Sequence, residues 1–112
     1  NSLRSVFYNL IHNAIKFSDP KKPSVIKIAT EEVKGFVILC VRDNGLGIPL
    51  EDQRRVFKKS SRLSTKIPGT GMGLYVVKKM IEDNKGRIKL ESKEKEGTTF
   101  KVFFRNPPEK HD

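Results

Sequence analysis

The chain has 112 residues, room for one domain and not two, and its 36% hydrophobic and 32% charged residues are the balance of an ordinary globular protein. No apolar run approaches the ~20 residues needed to cross a bilayer, the Asn1 to Arg4 start lacks the layout of a signal peptide, and Cys40, the single cysteine, excludes an internal disulfide and suits a reducing compartment. A formal net charge of +10 raises nucleic acid as a partner, but the basic residues are spread along the chain and the two tyrosines are not interleaved with them, so a basic surface favouring anionic ligands is the better account.

From Ser2 to Phe17, the residues Leu3, Val6, Phe7, Leu10, Ile11, Ala14 and Phe17 recur at helical spacing and predict an amphipathic helix. Ser18-Asp19-Pro20 supplies its stop. Val25 to Thr30 alternates as a half-buried strand does, Lys34-Gly35 makes a turn, and Phe36 to Val41 is an apolar run suited to a central strand. Cys40 falls inside that run and reads as a buried structural thiol. Asp43 to Pro49 is a glycine-rich loop, and Leu50 to Phe57 a short helix behind Pro49. Lys58 to Pro68 has no apolar period and reads as a mobile segment. Leu74, Val77, Met80 and Ile81 mark another amphipathic helix, ended at Asn84-Lys85-Gly86 with Gly86 in the left-handed conformation. Arg87 to Ser92 and Thr98 to Arg105 form two strands about a charged turn, and residues 106–112 a polar tail. Helices and hairpins are segregated, which predicts an α+β two-layer sandwich rather than alternating β-α-β units. On the last strand Thr98, Phe100, Val102 and Phe104 share one face; Thr99, Lys101, Phe103 and Arg105 share the other, wetter one.

Four places carry chemistry. Asn9, Asn13 and Lys16 stand at i, i+4 and i+7 on one side of the first helix, where two carboxamides offer oxygen to a hard cation and an ammonium offers charge to phosphate. The same stripe also suits a solvated helix flank. Asp43 ends a buried strand and needs a donor. An adenine amino group is one, and Gly45 and Gly47 let a flat base come close; an ordinary Asp-Asn-Gly turn has the same sequence. Gly69-Thr70-Gly71-Met72-Gly73-Leu74 opens a helix with glycines whose N–H groups suit phosphate oxygens. It is neither a P-loop nor a dinucleotide loop. Thr98, after the turn glycine Gly97, could share a water or a base nitrogen with Asp43, or simply favour a strand.

In this order the segments resemble the ATP-binding catalytic domain of bacterial sensor histidine kinases, the HATPase_c or GHKL type. Asn9 to Phe17 is similar to the family's N box, Asp43 to Ile48 to its G1 box, Phe57 to its F box and Gly69 to Leu74 to its G2 box. Glu96 to Phe100 matches its short terminal glycine motif. The resemblance covers almost the whole chain and implies the Bergerat fold of gyrase, the heat-shock-90 chaperones and MutL-type repair proteins: a two-layer sandwich, its sheet mixed but largely antiparallel, with helices on one face. Carried over to this chain, Asn13 is expected to bind Mg²⁺ with Asn9 assisting, Lys16 to approach the phosphates and Phe17 to pack beside the ribose or base. Asp43 is expected to accept the adenine amino group, with Gly45, Gly47 and Ile48 at the base and Thr98 backing it. Gly69, Thr70, Gly71, Met72 and Gly73 are expected to form the hinge and phosphate cradle, Leu74 the pocket wall, and Arg62 and Lys66 phosphate clamps.

Asn9 decides between branches of that family. The hydrolytic relatives place a glutamate four residues before the metal-binding asparagine; a carboxamide cannot serve as that general base. ATP is therefore expected to be kept for transfer to a histidine. His12 and His111 lack the context of an acceptor, so that histidine is expected on a separate dimerisation domain. The resemblance also implies a response regulator downstream, cytoplasmic placement, and no contact of this domain with nucleic acid or membrane. An alternative is a nucleotide-sensing module on the same fold. Residues 1–105 are expected to form the domain, with a lid at about 58–70. The strand and helical hairpin that usually precede the N box are not in the sequence, so the chain reads as a piece of a longer protein whose open sheet edge invites an edge-strand dimer.

Overall fold

Residues 2–58 and 72–105 are described by the computed structural model. Helix α1 (Ser2–Lys16) buries Val6, Leu10 and Ala14, one stripe at helical spacing, with Phe17 just beyond its end. Phe7, expected on that stripe, is instead 39% exposed on its flank. Strands β1 (Ile26–Val33) and β2 (Phe36–Asp43) form a hairpin about the left-handed Gly35. A short α2 (Leu50–Gln53) follows, then α3 (Met72–Asp83), β3 (Arg87–Lys93) and β4 (Gly97–Arg105).

The strands lie in the order β1-β2-β4-β3, and all three pairings among the described residues are antiparallel, in keeping with the largely antiparallel sheet expected. Helices α1 and α3 pack on each other and on one face of the sheet. Leu39, Val41, Phe100 and Val102 meet Leu10, Val77 and Ile81 between the layers. The face assignment of β4 holds in part: Thr98, Phe100 and Val102 are buried on the helix side and Arg105 is exposed on the other, but Thr99, expected on that wetter face, is also buried. On that wetter face Arg87 and Lys89 lie over the Phe103 ring at 5.2 and 5.5 Å, shielding it.

Five expectations are corrected. Strand β1 runs to Val33 rather than Thr30, because pairing with Val37 and Ile38 recruits Glu32 and Glu31 despite their weak strand preference. It is also largely exposed, with Ile28 46% accessible, since it lies at the sheet edge beyond the helix layer. Helix α2 ends at Gln53, not Phe57: Arg55 and Lys58 donate to carbonyls three residues back, tightening the chain so that Val56 is buried and Phe57 meets Phe100 edge-on. At the end of α3 it is Lys85, not Gly86, that turns left-handed (φ 64°), with Lys85 donating to Glu82 and Gly86 to Ile81. Cys40 is half-buried rather than buried, because it points to the face of β2 away from the helices.

Candidate functional site

The inner end of β2 sets one wall. Asp43, 6% exposed, stands beside Ile26 on β1 and Thr98 on β4, which in turn pairs with Ser92 on β3. These residues form one row on the helix-covered face. The carboxylate of Asp43 accepts the Gly45 N–H at 2.8 Å. Burial pushes its carboxyl above the usual carboxylate range, and hydrogen bonds to the Gly45 and Thr98 backbones pull it partly back. It remains an acceptor inside a largely apolar layer.

The loop after β2 is fastened at both ends. Asn44 accepts from the Val25 N–H at 2.9 Å and donates to the Pro23 carbonyl at 3.0 Å, closing the approach to β1. Leu46 donates to the Phe17 carbonyl at 2.8 Å, and Lys95 donates to the Leu46 carbonyl at 2.6 Å. A side chain on Gly45 would collide with the Phe17 carbonyl oxygen; Gly47 (φ 75°) would bring one against the Lys93 carbonyl. Both positions need glycine for close approach. Ile48 is 2% exposed and belongs to the core, as does Leu74 in the first turns of α3.

The other wall is α1. Asn9 donates through Nδ2 to the Ser5 carbonyl at 2.8 Å, and Asn13 through Nδ2 to the Asn9 carbonyl at 3.0 Å. Each amide nitrogen is thus tied to its own helix, which leaves both Oδ1 atoms without a partner among the described residues. Two neutral oxygens one turn apart fit a hard divalent ion that keeps water and phosphate as its other ligands. Lys16, half-buried, closes this row in the last turn of α1. Phe17 is 8% exposed. The bond from Leu46 to Phe17 therefore couples the amide end to the carboxylate end. Met72 and Gly73 open α3 as the glycine pattern suggested. Arg62, Lys66, Gly69, Thr70 and Gly71, the rest of the expected lid, and the tail lie outside the described residues.

Sequence reasoning missed Ser92 and Gln53. Ser92 Oγ accepts from the Ile48 N–H at 2.8 Å, donates to the Gly97 carbonyl at 2.9 Å and lies 2.8 Å from Thr98 Oγ1. Gln53 donates to the Ile48 carbonyl at 2.7 Å and to that of Ser92 at 3.2 Å. A signal for Ser92 was present: Ile88, Leu90 and Ser92 share the inward register, and a hydroxyl there needs partners. A cavity of about 660 Å³ opens at this end of the sheet, lined by Asp43, Ser92 and Thr98 together with Lys27, Arg42, Glu91 and Thr99. It reaches the Asp43 and Thr98 end of the site, whereas Asn9 and Asn13 on α1 do not line it.

Residues 1–108 match the family described as Histidine kinase-, DNA gyrase B-, and HSP90-like ATPase. The sensor protein RprX of Bacteroides fragilis is 37% identical over 102 residues, 88% of this chain and 20% of that protein. The phytochrome-like protein Cph1 of Synechocystis is 45% identical over 100 residues, 88% of this chain and 13% of that protein. The chain thus spans a fifth or less of these relatives. Among solved structures, the catalytic domain of the histidine kinase ThkA superposes with a TM-score of 0.79 at 32% identity, covering 96% of this chain and 69% of that one.

Proposed function

Because the chain belongs to the family of histidine kinase-, DNA gyrase B- and HSP90-like ATPases and is an ATP-binding domain of the histidine-kinase kind, we propose that it holds Mg-ATP and donates the γ-phosphoryl group to a histidine on another domain of a longer protein. The observation that carries the reading is the bridged pair of walls. Asp43 offers a buried acceptor for the adenine amino group, the Asn9 and Asn13 oxygens offer a seat for the metal, and the Leu46–Phe17 bond fixes their separation.

In this reading Asn13 and Asn9 hold the ion, which when bound offsets charge on the phosphate oxygens. Lys16 adds a positive charge nearby. Gly45 and Gly47 leave room for the base plane, Ile48 and Leu74 back it from the core, and Thr98 stands beside Asp43. Arg62 and Lys66, with the glycines from Gly69 to Gly73, are assigned to the phosphates. Asn9 cannot deprotonate water, so the nucleotide is held for a histidine nitrogen attacking in line. The relatives' names are those of sensors and kinases; by that analogy the phosphoryl group would pass onward to a response regulator, and the domain would work on the cytoplasmic side where ATP is available.

Calorimetry with Mg-ATP tests the first half: uptake is expected in the wild type and severely weakened in Asp43→Ala. Radiolabelled γ-phosphate appearing on an added acceptor domain as acid-labile phosphohistidine tests the second. Binding without transfer to any acceptor would reduce the assignment to a nucleotide sensor.

A further inference from the structure

Every hydrogen-bonding position of the Ser92 hydroxyl is occupied, and the occupants fix the direction of a neighbour's bond. A serine hydroxyl has one proton and two lone pairs. The Gly97 carbonyl, 2.9 Å away, can only accept, so it takes the Ser92 proton. The Ile48 N–H can only donate, and at 2.8 Å it fills one lone pair. The remaining contact, 2.8 Å to Thr98 Oγ1, must then run from Thr98 to Ser92. Thr98 has no proton left to offer. To any group lodged beside Asp43, its partner across the β2–β4 ladder, Thr98 presents lone pairs only. Thr98 is 4% and Asp43 6% exposed, so bulk water does little to blur this polarity.

We propose that Ser92 is a positioning residue that locks Thr98 as a hydrogen-bond acceptor, so that Asp43 and Thr98 together select a purine with an amino group at its six position over one with a carbonyl there. The inference rests on the base being seated at Asp43. A carboxylate beside an acceptor-only hydroxyl meets an amino group, or a water that also donates to a ring nitrogen, with matched partners. Against a carbonyl oxygen it sets lone pairs facing lone pairs in a dry place, which a binding site tolerates poorly. Once Ser92 is removed, the Thr98 hydroxyl is free to rotate and donate, and a carbonyl purine gains a partner.

The test is competition of ATP and inosine triphosphate, which differ at that position and in the proton the carbonyl form carries on the adjacent ring nitrogen, against a fluorescent ATP analogue on the intact chain. The readout is the ratio of the two affinities. Ser92→Ala is expected to narrow the ATP preference about tenfold, the worth of one hydrogen bond. In a Thr98→Val background, which has no hydroxyl to direct, the same substitution is expected to leave the ratio unchanged. Ser92→Cys, close in volume, carries the same expectation if the melting curve shows that Ser92→Ala does not fold. Equal weakening of both nucleotides, or an effect that persists in Thr98→Val, would overturn the role of Ser92. A wild type that takes up neither nucleotide would instead overturn the seating of the base, before Ser92 is touched.

Discussion

The backbone N–H of Leu46 donates to the carbonyl of Phe17 at 2.8 Å, and through that bond the loop leaving β2 is stitched to the end of α1. Two elements from different layers thereby share one frame. The close approach depends on Gly45, whose missing side chain leaves space for the Phe17 oxygen.

Gly45→Ala is therefore expected to push the loop off the helix. Overpacking of this kind costs about 1–3 kcal/mol, visible as a lower melting temperature. Mg-ATP affinity should fall in the same variant, because both walls of the pocket shift. A Gly45→Ala protein that melts like the wild type and binds Mg-ATP equally well would contradict the coupling.

Asp43 sets stability against binding. Burial first, offset in part by the Gly45 and Thr98 backbones, holds its carboxyl above the ordinary range. The folded state thus keeps that proton more tightly than the unfolded chain does. Its contribution to stability is full below the unfolded value and is lost as pH rises through the raised folded one. Asp43→Asn should therefore melt at or above the wild type at neutral pH, and the gap should close on acidification. ATP affinity should drop tenfold or more in the same variant, about what a hydrogen bond to a charged group supplies. Differential scanning calorimetry across pH, beside nucleotide titration, reads both.

The amide pair on α1 makes a separate prediction about the metal. Asn13→Ala should weaken Mg-ATP by about tenfold while leaving ATP in EDTA almost as tightly bound as in the wild type. Isothermal titration with and without magnesium distinguishes this from a general loss of the pocket.

Lys85 carries strain that can be relieved. Its left-handed conformation (φ 64°) costs a non-glycine residue about 1–2 kcal/mol. Part of that returns as chain entropy when glycine replaces it, so Lys85→Gly should stabilise by up to about 1 kcal/mol. Urea denaturation is the measurement, with nucleotide binding expected to be unaffected.

What the sequence revealed, and what it hid, divides along physical lines. The helical spacing of Val6, Leu10 and Ala14 and of Leu74, Val77 and Ile81 is a local property, and it predicted both helices and the face they bury. Asn9, Asn13, Asp43 and Thr98 could be singled out because their types and spacing are unusual for the elements they sit on. The exposure of β1 could not, since Ile28 alternates as an inward residue does and only the reach of the helix layer leaves it wet. Nor could the turn at Lys85, where the better left-handed residue is Gly86 and closure of the helix end chose its neighbour. Ser92 escaped because its partners, Ile48 and Gly97, come from two different loops and meet it only after the sheet closes.

The order β1-β2-β4-β3 puts the last strand of the domain in the middle of its sheet. Asp43 and Thr98 are neighbours in space although half the chain is synthesised between them. If the base sits at Asp43 and Thr98 as proposed, a nascent polypeptide displaying the entire first hairpin still has no seat for a purine on the ribosome. Nucleotide in the cell can consequently stabilise only finished domains, and a chain stalled before Thr98 emerges is left to proteases without a ligand to shelter it.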